Sequence, residues 1–387
     1  MLMSHLSNNL GGIAMFPKKP PMGFNTWNTF GENINDEMIR QTADAMADTG
    51  LLKAGYEYLV IDDCWSERKR DAVTGKIIPD KNKFPNGMKA VSDYVHSKGL
   101  KFGMYSCAGV LTCAGYPGSF DHEFLDAETF AEYGADFLKY DYCFRPHDVN
   151  GTILYRRISM ALQNCGRDIL LSACNWGADN VHDWIRSTGS GMYRSTGDIN
   201  DSFTSFRDIF LSQVNNFKYS APGCFNDIDM LTVGMHNKGN VASAGCTDTE
   251  YRLEFALWCM AGAPLMLGCD VRSIDDTTLR LVTNPYLLRI DQDEECRPLF
   301  QVKGEGGNIY VRILSGGELA IMLVNFSEHK WPVFFPFEHI GLPTSVKKGL
   351  ALTNAFTGEN EGVEKEYIRK PVEPHDCAIY IAKVVDL

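Results

Sequence analysis

No run of this chain reaches the roughly 20 consecutive apolar residues that a bilayer-spanning helix needs. The longest approach, Phe255 to Cys269, is split by Pro264, so it reads as a buried helix running into a buried strand. The first fifteen residues, MLMSHLSNNLGGIAM, lack a basic start and a continuous apolar stretch, so no secretory signal is expected from them. Positive charge is also short: 37 Lys and Arg against 49 Asp and Glu give a net charge of −12. That balance argues against nucleic acid or an anionic membrane as partner, since both require a cationic face. The 12 cysteines form no CxxC pair, which argues against structural zinc and a disulfide framework. Thiols left free in such number favour a reducing compartment, and the expectation is a soluble, cytoplasmic protein.

Phosphate and metal motifs are missing too. Gly109, Gly115 and Gly118 do not make a GxGxxG loop. His96, His122, His147, His182 and His236 are not at metal-ligand spacing, so no metal and no cofactor are expected.

What is present is ordinary globular composition over 387 residues, 44% hydrophobic and 22% charged. From about Pro21 to Asp291, short β-branched or aromatic runs alternate with amphipathic runs. Predicted strands are 23–27, 56–62, 101–106, 137–141, 169–176, 193–198, 224–229 and 264–270. Predicted helices include 36–49, 88–98, 126–133, 153–164, 203–216 and 249–260. Eight strand–helix repeats over this length predict an α/β fold, a (β/α)8 TIM barrel. After Asp291 the runs 308–313, 318–325, 330–336 and 378–384 alternate with Gly, Pro and Asn turns, which predicts a C-terminal antiparallel β-sandwich. The expected division is a 1–19 extension, a 20–293 barrel and a 294–387 sandwich.

Reactive groups of such barrels gather where the strands finish. Here strand after strand finishes in a carboxylate: Asp62 and Asp63, Asp141, Asp198, and Asp227 with Asp229. A single one is explained by helix capping. Convergence of several on one barrel mouth is not. Aromatic residues accompany them, among them Trp27, Trp65, Tyr105, Tyr140 and Trp176, with Tyr140 assigned to core filling. Carboxylates accept hydrogen bonds from hydroxyls while aromatic faces cover C–H surfaces, so the expected ligand is a neutral sugar. Paired carboxylates on a sugar point to glycoside hydrolysis.

The segments PPMGFNTWNTF, AGYEYLVIDDCW, FPNGMKAVSDYVHSKGLKFGMYS, TCAGYPGSF, FLKYDYC, CNWG, RSTGDI and FNDIDM occur in the order and spacing of glycoside hydrolase family 27. The chain resembles α-galactosidases of that family, the melibiase type, from about Pro20 through Asp293, and more weakly in the sandwich. The resemblance implies a retaining exo-α-galactosidase that removes terminal α-linked galactose from oligosaccharides. Asp141 would be the nucleophile and Asp198 the acid/base of a double displacement. Lys139, two residues before Asp141, falls on the same side of its strand and would help keep the nucleophile charged.

The same resemblance implies that Asp62 and Asp63 bind O4 and O6, and that Trp27 and Tyr105 form an aromatic wall near C6. Lys139 would reach O3 and O4. Arg194 with Cys174, Asn175 and Trp176 would line the O2 side, and Met230 would supply an apolar contact. Cys113 and Cys143 match a family disulfide beside the sugar, which a reducing compartment would leave as two thiols. Cys64 and Cys174 stand without their usual mates. Ala178 is as small as in α-N-acetylgalactosaminidases, whereas Asn175 follows the melibiase pattern. The alternatives are therefore α-N-acetylgalactosaminidase, β-L-arabinopyranosidase, or a non-catalytic galactoside-binding protein. Homo-oligomerisation stays open.

Overall fold

The computed structural model describes residues 16–387. Most of the expected N-terminal extension, residues 1–15, lies outside the described residues. Two compact units make up the rest: residues 16–17 with Pro21–Ser195, and Lys18–Pro20 with Thr196–Leu387. Compactness thus divides the chain after the sixth barrel strand, and the last barrel elements share a unit with the sandwich.

The first unit holds six strands: β1 (Met22–Asn25), β2 (Tyr58–Val60), β3 (Lys101–Cys107), β4 (Phe137–Asp141), β5 (Leu170–Cys174) and β6 (Met192–Arg194). Each pairs in parallel with the next, for example Gly23 with Tyr58, Tyr105 with Lys139, and Cys174 with Arg194. Almost every residue in these strands is buried, as expected of parallel strands covered on both faces. Helices Asp36–Asp48, Gly87–Ser97, Glu123–Glu132 and Gly151–Gln163 supply crossovers. Asn35 starts the first of them by accepting from the Met38 amide, and Asn150 starts the last by accepting from the Thr152 amide.

The second unit contributes β7 (Phe225–Asp227) and β8 (Leu265–Leu267), so the chain carries the eight parallel strands of a (β/α)8 barrel followed by an antiparallel β-sandwich. Helix Asp248–Ala261 begins with a capping box in which Thr247 and Glu250 each hold the other's backbone amide. Two helices, Asp276–Val282 and Pro285–Asp291, follow β8 and were not predicted; each starts on an Asx cap, Asp275 or Asn284. They are too short, at seven residues each, to show an amphipathic period.

In the sandwich, one sheet has the strand order Phe300–Val302, Asn308–Ile313, Glu318–Asn325, Asp376–Asp386, Lys348–Asn354 and Asn360–Glu364. A two-stranded sheet pairs Trp331–Pro336 with Tyr367–Val372. Ile309, Val311, Ile321, Leu323, Val333, Phe335 and Ile368 are fully buried in its core. Four of these strands escaped prediction: 300–302 is only three residues long, and Gly, Pro, Lys and Glu break the alternation of 348–354, 360–364 and 367–372. Arg312 anchors the sandwich within this unit. It is buried and donates from Nε to the Arg297 carbonyl (2.7 Å) and from Nη1 to the Cys259 carbonyl (3.2 Å). Gly262 lies beside it at φ +64, where a Cβ would fall 2.7 Å from Nη1, so only glycine fits.

Candidate active site

Strand β4 ends in Asp141, whose carboxylate is 5% exposed. One oxygen accepts from the Tyr105 hydroxyl on β3 at 2.9 Å and the other from the Tyr142 amide at 2.9 Å. Burial pushes the carboxyl up to about 6, while the Lys139 ammonium and these two donors pull it down. Tyr105 is itself driven well upward by burial and by the neighbouring Asp141 charge, so it stays a phenol and a donor. Lys139 lies where the alternation rule puts it. Its Nζ bonds Asp62 Oδ2 at 2.8 Å, and its charge also acts on Asp141. Burial works against the lysine's charge, but the surrounding carboxylates, Asp62 foremost, outweigh it and hold it above its usual range.

The acid pair that follows β2 is enclosed, with Asp62 and Asp63 both 2% exposed. Asn25, at the end of β1, donates to Asp62 Oδ2 at 2.8 Å, and the Asp63 amide donates to Oδ1 at 2.9 Å. Asp63 accepts from the amides of Cys64 (2.7 Å) and Ala114 (3.0 Å). Burial raises the Asp63 carboxyl, and the Asp62 charge adds to it. Sequence reasoning overlooked Asn25. Its signal was a polar residue at the end of a buried strand inside the quoted FNTWN segment.

Cys113 and Cys143 are bonded to each other, with Cα atoms 5.3 Å apart. Cys64 and Cys174 are buried and not disulfide-bonded. The bond is the pair that the family resemblance implies, 30 positions apart in sequence, and not the two thiols expected of a reducing compartment. The two sulfurs and the Asp141 carboxylate converge within 4.8 Å. With the sulfurs spent on each other, that group lacks the thiolates that would make it a metal centre.

Beyond β5, Asn175 is fully buried and donates from Nδ2 to the Ala178 carbonyl at 2.9 Å. Among the described residues its Oδ1 has no partner, which leaves a buried acceptor open. Trp176, Gly177, Asp179 and Asn180 all have left-handed backbone, with φ between 52 and 86. Gly177 is required: a Cβ there would lie 2.5 Å from the Ser195 carbonyl oxygen. The loop is tied down by Asp179, which accepts from the Tyr142 hydroxyl (2.7 Å) and, through its carbonyl, from Trp184 Nε1 (2.8 Å). Arg194 is buried with Nη1 3.9 Å from Cys174 Sγ. Trp27 and Trp176 are each partly exposed, whereas Trp65 is core: its ring packs on Phe130 and Tyr133 and its Nε1 bonds the Tyr105 carbonyl.

The first unit therefore brings together Asp62, Asp63, Tyr105, Lys139 and Asp141 by direct bonds or through-space charge, with the Cys113–Cys143 bond beside Asp141. Asp198 and Met230 belong to the second unit. Asp198 is exposed, and the Ile199 amide next to it donates to Asp229 Oδ2 at 2.8 Å. Met230 is 7% exposed, its amide bonded to Asp229 Oδ1 at 2.7 Å.

Enclosed carboxylates gathered around an ammonium at the ends of parallel barrel strands are the setting a glycoside hydrolase requires, and the relatives of this chain are of that class. Residues 19–293 match the family model described as α-galactosidase A, and residues 305–382 match that of the α-galactosidase C-terminal β-sandwich domain. α-Galactosidase 2 of Arabidopsis thaliana is 40% identical over 383 residues, covering 97% of this chain and 91% of its own. The Coffea arabica α-galactosidase is 39% identical, with 98% and 96% covered. Among solved structures, α-galactosidase I from Mortierella vinacea aligns at TM-score 0.88 with 29% identity, covering 97% of this chain and 98% of its own. The Saccharomyces cerevisiae α-galactosidase solved with raffinose aligns at 0.87 with 26% identity, covering 95% and 98%. The chain belongs to the α-galactosidase (melibiase) family, glycoside hydrolase family 27.

Proposed function

We propose that this enzyme is a retaining, exo-acting α-galactosidase that cleaves terminal α-linked galactose by two successive displacements. Asp141 attacks the anomeric carbon, forming the bond to the sugar as the bond to the leaving oxygen breaks. Asp198 gives that oxygen its proton, then takes one from water as the water releases the sugar. The observation that carries this reading is the state of Asp141. It is a buried carboxylate aligned by a phenol and an amide, with an ammonium nearby to oppose burial and keep it anionic at neutral pH.

The binding roles follow the same chemistry. Asp62 and Asp63 keep acceptor capacity for sugar hydroxyls, and two buried carboxylates reject a sugar that leaves them unpaired. Both are intact, which supports a hexose carrying O6. The open acceptor at Asn175 Oδ1 suits the hydrogen of the sugar's O2 hydroxyl. Trp27 and Trp176 are partly exposed and available to cover C–H faces.

Two measurements test the mechanism. Asp141→Ala should lose on the order of 10⁵-fold in turnover of an aryl α-galactoside. Undiminished turnover would remove Asp141 as nucleophile. Proton NMR of early product should show α-galactose first; β-galactose as the first product would exclude retention.

A further inference from the structure

The segment that carries Asp198 is held from its C-terminal side. Asp201, three residues on, has no exposed surface. Its amide donates to the Val241 carbonyl at 3.0 Å, and its carboxylate accepts from the Asn237 amide at 2.7 Å. The Tyr251 hydroxyl sits 2.9 and 3.0 Å from the two carboxylate oxygens and itself accepts from the His236 amide at 2.7 Å. Asp201 also pairs in parallel with Ala242. Tyr251 is 2% exposed on helix Asp248–Ala261, fifty residues away in sequence.

Burying a carboxylate is expensive unless its partners are well placed. Here the cost falls three residues from a carboxyl that must move a proton in both directions. The Asp198 side chain is exposed, and the backbone of the loop that carries it is fixed at Asp201. We infer that Asp201 and Tyr251 are positioning residues that set where the Asp198 carboxyl stands in the reaction. The inference rests on the acid/base reading of Asp198 given above.

The pair touches no sugar, and the consequence is a selective one. A displaced acid hurts departures that need a proton and spares those that do not. Tyr251→Phe keeps the ring in its slot and removes only the bridging hydroxyl; Asp201→Asn keeps the shape and removes the charge. Both are compared with wild type on melibiose, whose leaving sugar oxygen must be protonated, and on 2,4-dinitrophenyl α-galactoside, whose phenolate leaves unaided. The expected result is a loss of about 10- to 100-fold in kcat/KM on melibiose, the scale of a 1 Å misplacement, with less than about threefold on the aryl substrate. Assays run well below the melting temperature of each variant. An equal loss on both substrates, or none on either, would overturn the inference. Asp198→Ala serves as reference. If it shows no such split, the acid/base reading fails. If it shows the split and the two variants do not, only the positioning role fails.

Discussion

The two carboxyls assigned to the reaction are built in opposite ways. Asp141 ends a strand, is 5% exposed, and has its oxygens directly engaged by Tyr105 and Tyr142. Asp198 stands exposed on a loop whose neighbours, the Ile199 amide and Asp201, are anchored in buried surroundings. The contrast follows from what each must do. A nucleophile has to remain anionic and stay in one place, so direct donors and a nearby cation serve it. An acid that becomes a base has to exchange its proton between leaving group and water, which requires access to both. Anchoring the loop backbone at neighbouring residues leaves that exchange open to solvent.

The sharpest way to break this contrast is to disturb the charge at Asp141. Lys139→Met deletes the cation that opposes burial, so the carboxyl, already pushed up to about 6, rises further. A nucleophile with a higher pKa is protonated over more of the acidic range. The acid limb of kcat/KM on an aryl α-galactoside should therefore move from near pH 6 towards or past pH 7, a shift of about one unit or more. Turnover at pH 7 should fall more than about tenfold, because Asp62 also loses its ion pair. An unmoved limb would show that another group sets it.

Much of the barrel that carries these groups was legible in the sequence. All eight barrel strands fall inside or within one residue of their predicted ranges, because buried parallel strands read as continuous apolar runs ending in polar residues. Asp62, Asp63, Lys139 and Asp141 were legible for the same reason. What anchors them was not. Asn25 bonds Asp62 across 37 positions and Tyr251 bonds Asp201 across 50, and such pairings leave no local period to detect. The caps at Asp275 and Asn284 and four sandwich strands were lost for related reasons. Each depends on a spatial partner or on one short polar side chain, whereas sequence patterns report faces.

Buried acids away from the chemistry sharpen the comparison by a smaller effect. Glu254 on helix Asp248–Ala261 is fully buried and accepts from the Thr232 amide (2.6 Å) and hydroxyl (2.8 Å). Burial pushes it up to about 8. A carboxyl whose folded pKa lies above its unfolded value costs stability as pH rises. Between about 4.5 and 8 the unfolded chain ionises while the folded chain keeps its proton, so stability falls across that window and levels off above it. Glu254→Gln keeps the shape and an acceptor but cannot ionise. Thermal melts should show the variant more stable than wild type at pH 8, with the gap closing towards pH 4.5. A gap independent of pH would mean that Glu254 does not carry a raised pKa.

The smallest expected effect lies closest to the nucleophile. Tyr140 precedes Asp141 on β4, but by strand alternation its side chain points away from the one that carries the reaction. Its ring is fully buried edge-on against Tyr155 at 5.9 Å, and its hydroxyl has no partner among the described residues. An unsatisfied buried hydroxyl costs about 1–3 kcal/mol of desolvation with nothing returned, so removing it relieves a penalty. Tyr140→Phe should leave kcat/KM on melibiose and on the aryl substrate within about twofold of wild type and raise stability by up to about 1 kcal/mol. Tyr105→Phe, one strand away, removes a hydroxyl bonded to Asp141 and should slow both substrates. If the two variants behave alike, the partners seen around Asp141 do not determine its reactivity, and the distinction between a buried, directly held nucleophile and an exposed acid on an anchored loop collapses.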